Sequence, residues 1–74
     1  MSNLPIEAEV TGNVWKIEKN IGDRVEAEDV IMILESMKME IPVEAPCAGT
    51  LVELLVKEED GVSEDQVIAI IAPD

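Results

Sequence analysis

The chain has 74 residues, with 17 acidic and 5 basic side chains, a formal net charge of -12 and no histidine. This length predicts one small domain, the single cysteine excludes an internal disulfide, and the lack of histidine removes the usual zinc sites, so we expect no metal site. The acidic surface would repel nucleic acids and anionic membranes, and the start M-S-N-L-P-I-E has no signal-peptide pattern, so we expect a cytoplasmic chain.

Short apolar runs rich in valine and isoleucine, separated by Gly, Asp or Asn, predict an all-β chain. In chain order we place strands at residues 6–10, 14–18, 30–36, 39–45, 50–56 and 67–72, with short pieces around Val25 and Val62. The segment that holds Leu51, Leu54 and Leu55 also fits a helical face. Gly49 before it and the D-G turn after it leave too little length for a helix, so we predict a strand there.

The sequence contains one unit twice. A shift of 37 residues aligns V-T-G-N-V with C-A-G-T-L, I-G-D-R-V with E-E-D-G-V, and V-I-M-I-L with V-I-A-I-I. Two such copies, related by an approximate two-fold axis, predict a flattened β-barrel or sandwich with few exposed edges. The two runs that are apolar at every position are expected in the middle of the sheets.

The junction between the copies falls in E-S-M-K-M-E, residues 35–40. Only Met37 and Lys38 are left to connect the strands on either side, so we predict a two-residue hairpin turn with Lys38 at one tip and the chain ends away from it. Such turns need positive φ, which Met and Lys disfavour. Energy of this kind is stored at functional sites, and we therefore expect a strained, functional turn.

An exposed lysine here is a poor catalyst. Catalytic lysines need burial or a neighbouring cation, whereas Glu35 and Glu40 favour the charged ammonium of Lys38. We therefore interpret Lys38 as the substrate of a second enzyme, which recognises the hairpin and acylates the amine with an activated acid. Met37 and Met39 also fit core packing, and the sequence leaves open how they divide between packing and recognition.

Two further residues receive structural interpretations. Trp15, the one aromatic residue of the chain, is interpreted as a packing residue, and Cys47 as a small buried or half-buried residue.

The stretch E-S-M-K-M-E, with I-G-D-R-V upstream and A-P-C-A-G-T-L downstream, is similar to the biotinyl domains of biotin carboxyl carrier proteins and biotin-dependent carboxylases, in the biotin/lipoyl attachment family. The similarity covers residues 6–72. It implies a single biotinyl domain over residues 1–74, with two quasi-two-fold related four-stranded sheets, a barrel-sandwich hybrid. It also implies biotin covalently attached to Lys38 by biotin protein ligase through biotinyl-adenylate, with Glu35, Met37 and Met39 in ligase recognition.

The function that the resemblance implies is that of a carrier without catalytic residues of its own. A biotin carboxylase would load the carboxyl group onto biotin with ATP and bicarbonate. The arm on Lys38 would then carry it to a carboxyltransferase, as in acetyl-CoA carboxylase in fatty acid biosynthesis or another acyl-CoA carboxylase. The alternatives are a lipoyl carrier, whose usual context has Asp before the lysine and Ala or Val after it, and an unmodified β interaction module. The initiating methionine and the tail ending at Pro73-Asp74 favour a free-standing carrier.

The chain departs from the family pattern at three places. The second copy reads E-E-D-G-V where the family has Glu-Gly-Asp before a valine, and the displaced glycine leaves the conformation of that turn open. A-E-D and E-D-Q, residues 27–29 and 64–66, lack the glycine often found before the following strand. The short path from Val14 to Val25 has no room for the protruding thumb loop of some bacterial acetyl-CoA carboxylase carriers.

Overall fold

The computed structural model describes residues 3–74, and within that range every regular element is a β-strand. In chain order these are β1 (Leu4–Glu7), β2 (Gly12–Ile17), β3 (Arg24–Val25), β4 (Val30–Ser36), β5 (Met39–Glu44), β6 (Gly49–Leu54), β7 (Gly61–Val62) and β8 (Val67–Pro73). The predicted all-β fold is confirmed, and the leucine-rich segment forms strand β6, which contains Leu51 and Leu54 and ends before Leu55. The largest boundary error concerns β1, which begins two residues earlier and ends three residues earlier than predicted. No helix capable of crossing a bilayer occurs in the described range.

The strands form two four-stranded antiparallel sheets, in the orders β1-β8-β6-β3 and β5-β4-β2-β7. The two wholly apolar runs, β4 and β8, occupy interior positions in the two sheets, as predicted. They are covered there because strand neighbours lie on both sides and the other sheet packs against one face. The molecule is elongated, with extents of 35 × 18 × 17 Å.

The predicted repeat is also present in the geometry. Strands β2, β3 and β4 match β6, β7 and β8 in length and lie 37 residues apart. The turns repeat as well: the Asn20 N–H donates to the Asp23 carboxylate at 2.9 Å, and the Lys57 N–H donates to the Asp60 carboxylate at 3.0 Å. Two copies of one local hydrogen-bonding pattern therefore build the two halves of the fold.

The core lies between the sheets and contains only apolar side chains among residues 3–74. Burying a side chain the size of isoleucine or leucine contributes about 1.5–3 kcal/mol, so a few such residues hold this small domain together. The largest fully buried members, contributed by both copies, are Ile31, Met32, Leu34, Leu51, Ile68 and Ile71.

Trp15 is not part of this core. It lies at a bulge in β2, between Val14 and Lys16, and is 48% exposed. Val14 before it is buried, so strand alternation places the indole on the opposite, outward face, and the interpretation of Trp15 as a packing residue is wrong. Cys47 is half-buried, as expected.

The turns that lack the family's glycine keep their shape through residues with positive φ. Glu59, at +77°, stands where the first copy has Gly22, at +96°. Glu28 and Asp65 correspond to each other before β4 and β8, with φ of +73° and +72°. The conformation that the displaced glycine left open is thus the same in both copies, at an energetic cost wherever the residue has a Cβ.

Each sheet has one edge strand with a proline, β1 and β5, and the two prolines, Pro5 and Pro42, occupy the same position of the repeat. Proline is tolerated at such edges, where it removes one donor from the exposed backbone. Strand β1 pairs with β8, with Leu4 opposite Ile71, so the two terminal strands lie side by side. The connection between β4 and β5 lies at the junction between the two copies of the repeat.

Candidate functional site

The connection between β4 and β5 is a two-residue turn, as predicted. Ser36 and Met39 face each other across the strands, and Met37 and Lys38 form the turn with φ of +53° and +67°. Two successive positive values define a type I′ turn, whose twist matches that of the flanking strands. We call residues 36–39 the Lys38 hairpin.

The turn is strained for its residue types. Type I′ turns favour Asn-Gly because a Cβ clashes in the left-handed region, yet this turn uses two long side chains. Such conformations cost on the order of 1–3 kcal/mol each and persist only where the surrounding structure fixes them. The strain predicted from the sequence is therefore present at Lys38.

The side chains of the hairpin point into solvent. Lys38 is exposed, Met37 is 92% exposed and Met39 is 64% exposed. The packing alternative for the two methionines is therefore wrong. Exposed methionines that flank an exposed amine form a small apolar surface that another protein can contact.

The acidic neighbours lie just below the turn. Glu35 and Glu40 are exposed and directly opposite each other on β4 and β5. Among residues 3–74 no carboxylate lies within 4.0 Å of the Lys38 ammonium, so the amine is not held in an ion pair. Glu35 is thus near the turn through its strand position and is not paired with the lysine.

The described residues offer no catalytic machinery at the hairpin. No group of three or more His, Cys, Asp or Glu side chains suited to a metal ion occurs in residues 3–74. An open groove of about 300 Å³ is lined by residues of β1, by Glu44 and Pro46, and by Asp65, and none of its lining residues belongs to the Lys38 hairpin. The hairpin thus presents a primary amine in open solvent at the end of a fixed turn.

The base of the hairpin contains contacts that sequence reasoning did not find. The Ser36 hydroxyl donates to the Thr11 carbonyl oxygen at 2.9 Å. Gly12 lies so close to β4 that a Cβ there would overlap the Glu35 carbonyl oxygen. These partners are more than twenty residues apart in the chain, and no local pattern signals such a pairing.

Comparison with known proteins agrees with this geometry. The family model described as "Biotin-requiring enzyme" matches residues 3–71. The chain is 40% identical over 65 residues to the biotin/lipoyl attachment protein of Bacillus subtilis, covering 88% of this chain and 89% of that protein. It is 37% identical over 67 residues to the biotinylated protein TB7.3 homolog of Mycobacterium leprae, covering 90% and 94%.

A solved structure gives the same result. The crystal structure of the Kluyveromyces lactis urea carboxylase superposes with a TM-score of 0.92 at 35% identity, over 97% of this chain. The chain spans only 6% of that carboxylase. A carrier domain within a much larger enzyme is similar to the whole described fold, while the two small relatives are matched over most of their length.

The described two-sheet β domain is thus matched by family, by relatives and by structure. The chain belongs to the biotin-requiring enzyme family as a biotinyl domain, a carrier of biotin that is not a catalyst by itself.

Proposed function

We propose that the chain is a biotin carboxyl carrier that is biotinylated on the Lys38 Nζ. The observation that supports this most directly is the position of Lys38 in a type I′ turn between two exposed methionines. The chain's own part in the reaction is to present an amine. Biotin protein ligase would take up the amine's proton and form the amide as AMP leaves the activated acid.

The residues proposed for ligase recognition are Glu35, Met37 and Met39. The two methionines supply exposed apolar surface on both sides of the amine, and Glu35 supplies a negative charge one residue before the Lys38 hairpin. Acylation removes the positive charge of Lys38, which takes the formal net charge from -12 to -13. The modified domain is therefore still more acidic than the unmodified one.

As a carrier, the domain would serve a biotin carboxylase and a carboxyltransferase in turn. When attached, biotin supplies the ureido nitrogen that takes up the carboxyl group. The protein supplies a rigid hairpin and a flexible lysyl arm, which keep that group at high effective concentration near both partners. For the acceptor we propose an acyl-CoA, acetyl-CoA first. Urea is a second candidate because the similar solved structure is a urea carboxylase.

Intact mass spectrometry tests the attachment. Incubation of the full chain with biotin protein ligase, biotin and ATP should add about 226 Da, whereas lipoylation would add about 188 Da. Lys38→Arg should remain unmodified, and Lys57→Arg, at an exposed lysine of another turn, should be modified like the natural chain. Modification of the Lys38→Arg protein would refute the assignment. A gain of the smaller mass with a lipoate ligase, and none with the biotin ligase, would favour the lipoyl alternative.

The acceptor needs a separate assay. The biotinylated chain should be combined with a biotin carboxylase and candidate carboxyltransferases, together with ATP and labelled bicarbonate. Transfer of label to an acyl-CoA would support the first proposal, and transfer to urea would support the second.

A further inference from the structure

The Lys38 hairpin is held at its base by two hydrogen bonds that involve side chains. The Ser36 hydroxyl donates to the Thr11 carbonyl oxygen at 2.9 Å, and the Glu64 N–H donates to the Thr11 hydroxyl oxygen at 3.1 Å. Glu64 lies in the turn before β8, in the second copy of the repeat. Thr11 therefore connects the hairpin to a turn from the other half of the molecule.

The repeat provides an internal control for these two bonds. The residues that correspond to Ser36 and Thr11 in the second copy are Pro73 and Ala48. Neither has a hydroxyl group, so neither bond can exist at the other end of the fold. The fold thus forms without these bonds where there is no lysine to present.

The Thr11 carbonyl and its counterpart in the second copy, the Ala48 carbonyl, accept hydrogen bonds from different kinds of donor. The Ala48 carbonyl accepts the backbone N–H of Asp74 at 3.1 Å, and the residue that corresponds to Asp74 is Met37. In the hairpin, Met37 has turned into the left-handed region to form the type I′ turn. The Thr11 carbonyl then accepts a hydrogen bond from the Ser36 side chain in place of a backbone N–H.

We infer that Ser36 and Thr11 are positioning residues for the modification of Lys38. This inference rests on the proposed function, because the reaction that they serve is the acylation of that lysine. A turn with two positive φ values persists only if its surroundings fix it, and a modifying enzyme needs the backbone that carries the amine presented in one conformation. The two bonds fix the strand end two residues before Lys38 and leave the lysine itself untouched.

Two conservative substitutions each remove one of the two hydrogen bonds and keep the other. Ser36→Ala removes the donor to the Thr11 carbonyl, and Thr11→Val removes the hydroxyl that accepts from Glu64 but keeps the carbonyl. Ser63→Ala is the matched control, since Ser63 is exposed and its recorded hydrogen bond comes from the backbone N–H. All three keep the net charge and the shape of the chain close to those of the natural protein.

Amide hydrogen exchange on the full chain measures the rigidity of the hairpin. In Ser36→Ala the amides of Ser36 and Met39 should exchange roughly threefold to tenfold faster, the range expected for the loss of one hydrogen bond. The amide of Ile68, in the core of β8, should change by less than about twofold because global unfolding governs it. Thr11→Val should give a smaller increase, and Ser63→Ala none.

Kinetics test whether rigidity matters for modification. With biotin protein ligase, kcat/KM for Ser36→Ala should fall at least about threefold, while the rate with a small N-hydroxysuccinimide ester should stay within about twofold, since that reagent needs only an exposed amine. Equal exchange rates in natural and Ser36→Ala chains would overturn the inference, and so would faster exchange with unchanged ligase kcat/KM. If the natural chain is not biotinylated at all, the proposed function itself has failed and the positioning role falls with it.

Discussion

Glu59 carries an avoidable cost, and replacing it with glycine should stabilise the protein. Its φ of +77° costs a residue with a Cβ about 1–2 kcal/mol, and the corresponding residue of the first copy is Gly22. The added freedom of glycine in the unfolded chain offsets about 0.4–1 kcal/mol of that relief. The net expectation for Glu59→Gly is a rise of about 0.5–1 kcal/mol in the free energy of unfolding, or about 2–8 °C in Tm.

The control is Glu64→Gly. Glu64 is also an exposed turn residue, it is not among the residues with positive φ, and its hydrogen bond to Thr11 uses the backbone N–H, which glycine retains. Both substitutions remove one carboxylate from a chain of net charge -12, so the change in net charge is the same in each. Glu64→Gly should lower stability by about 0.5–1 kcal/mol.

Thermal unfolding monitored by circular dichroism, with urea unfolding in parallel, measures the stability changes of both variants. If Glu59→Gly is no more stable than Glu64→Gly, then the left-handed conformation at Glu59 is not a cost to the folded state. The explanation of how the second copy keeps its turn without glycine would then be wrong.

Two further outcomes follow from the contacts of Gly12 and Asp74. Gly12→Ala should destabilise by about 1–3 kcal/mol in urea unfolding, because its Cβ would overlap the Glu35 carbonyl oxygen. Gly61→Ala, where the nearest atom lies 4.0 Å from the new Cβ, should change stability by less than about 0.5 kcal/mol, and equal effects would contradict the close-approach argument. The hydrogen bond from Arg24 lowers the pKa of Asp74 below its ordinary 3.8, so the ion pair stabilises the fold above that pH and less as the pH falls through the lowered value. The Tm difference between the natural chain and Asp74→Asn should therefore shrink below about pH 4, and a difference independent of pH from 2 to 7 would refute the assignment.

Much of the fold could be predicted from the sequence because the sequence contains one structural unit twice. The shift of 37 residues predicted two equivalent halves, and the uniformly apolar runs predicted which strands lie inside the sheets. The hairpin at Lys38 followed from the two residues left between β4 and β5. These features depend on local pattern and spacing, which a sequence contains directly.

Other features depend on which distant residues meet. The exposure of both Trp15 and Lys16 depends on a bulge in the pairing of β2 with β4, and the pattern of apolar residues does not reveal an extra residue in a strand. The contact of Ser36 with Thr11 joins segments that only the closed fold brings together. The exposure of both methionines was likewise open, since methionine is common in cores as well as at binding surfaces.

The prolines on the edge strands β1 and β5 affect how one carrier meets another. A strand edge with its backbone donors and acceptors free can recruit the same edge of a second molecule and grow into an aggregate. Pro5 and Pro42 interrupt such an edge at one position of the repeat, so a single feature of the repeated unit protects one edge of each sheet. Domains at high concentration in a cell, or tethered in one large assembly, would then not pair through their strand edges. Each lysine would stay accessible to the enzymes that act on it.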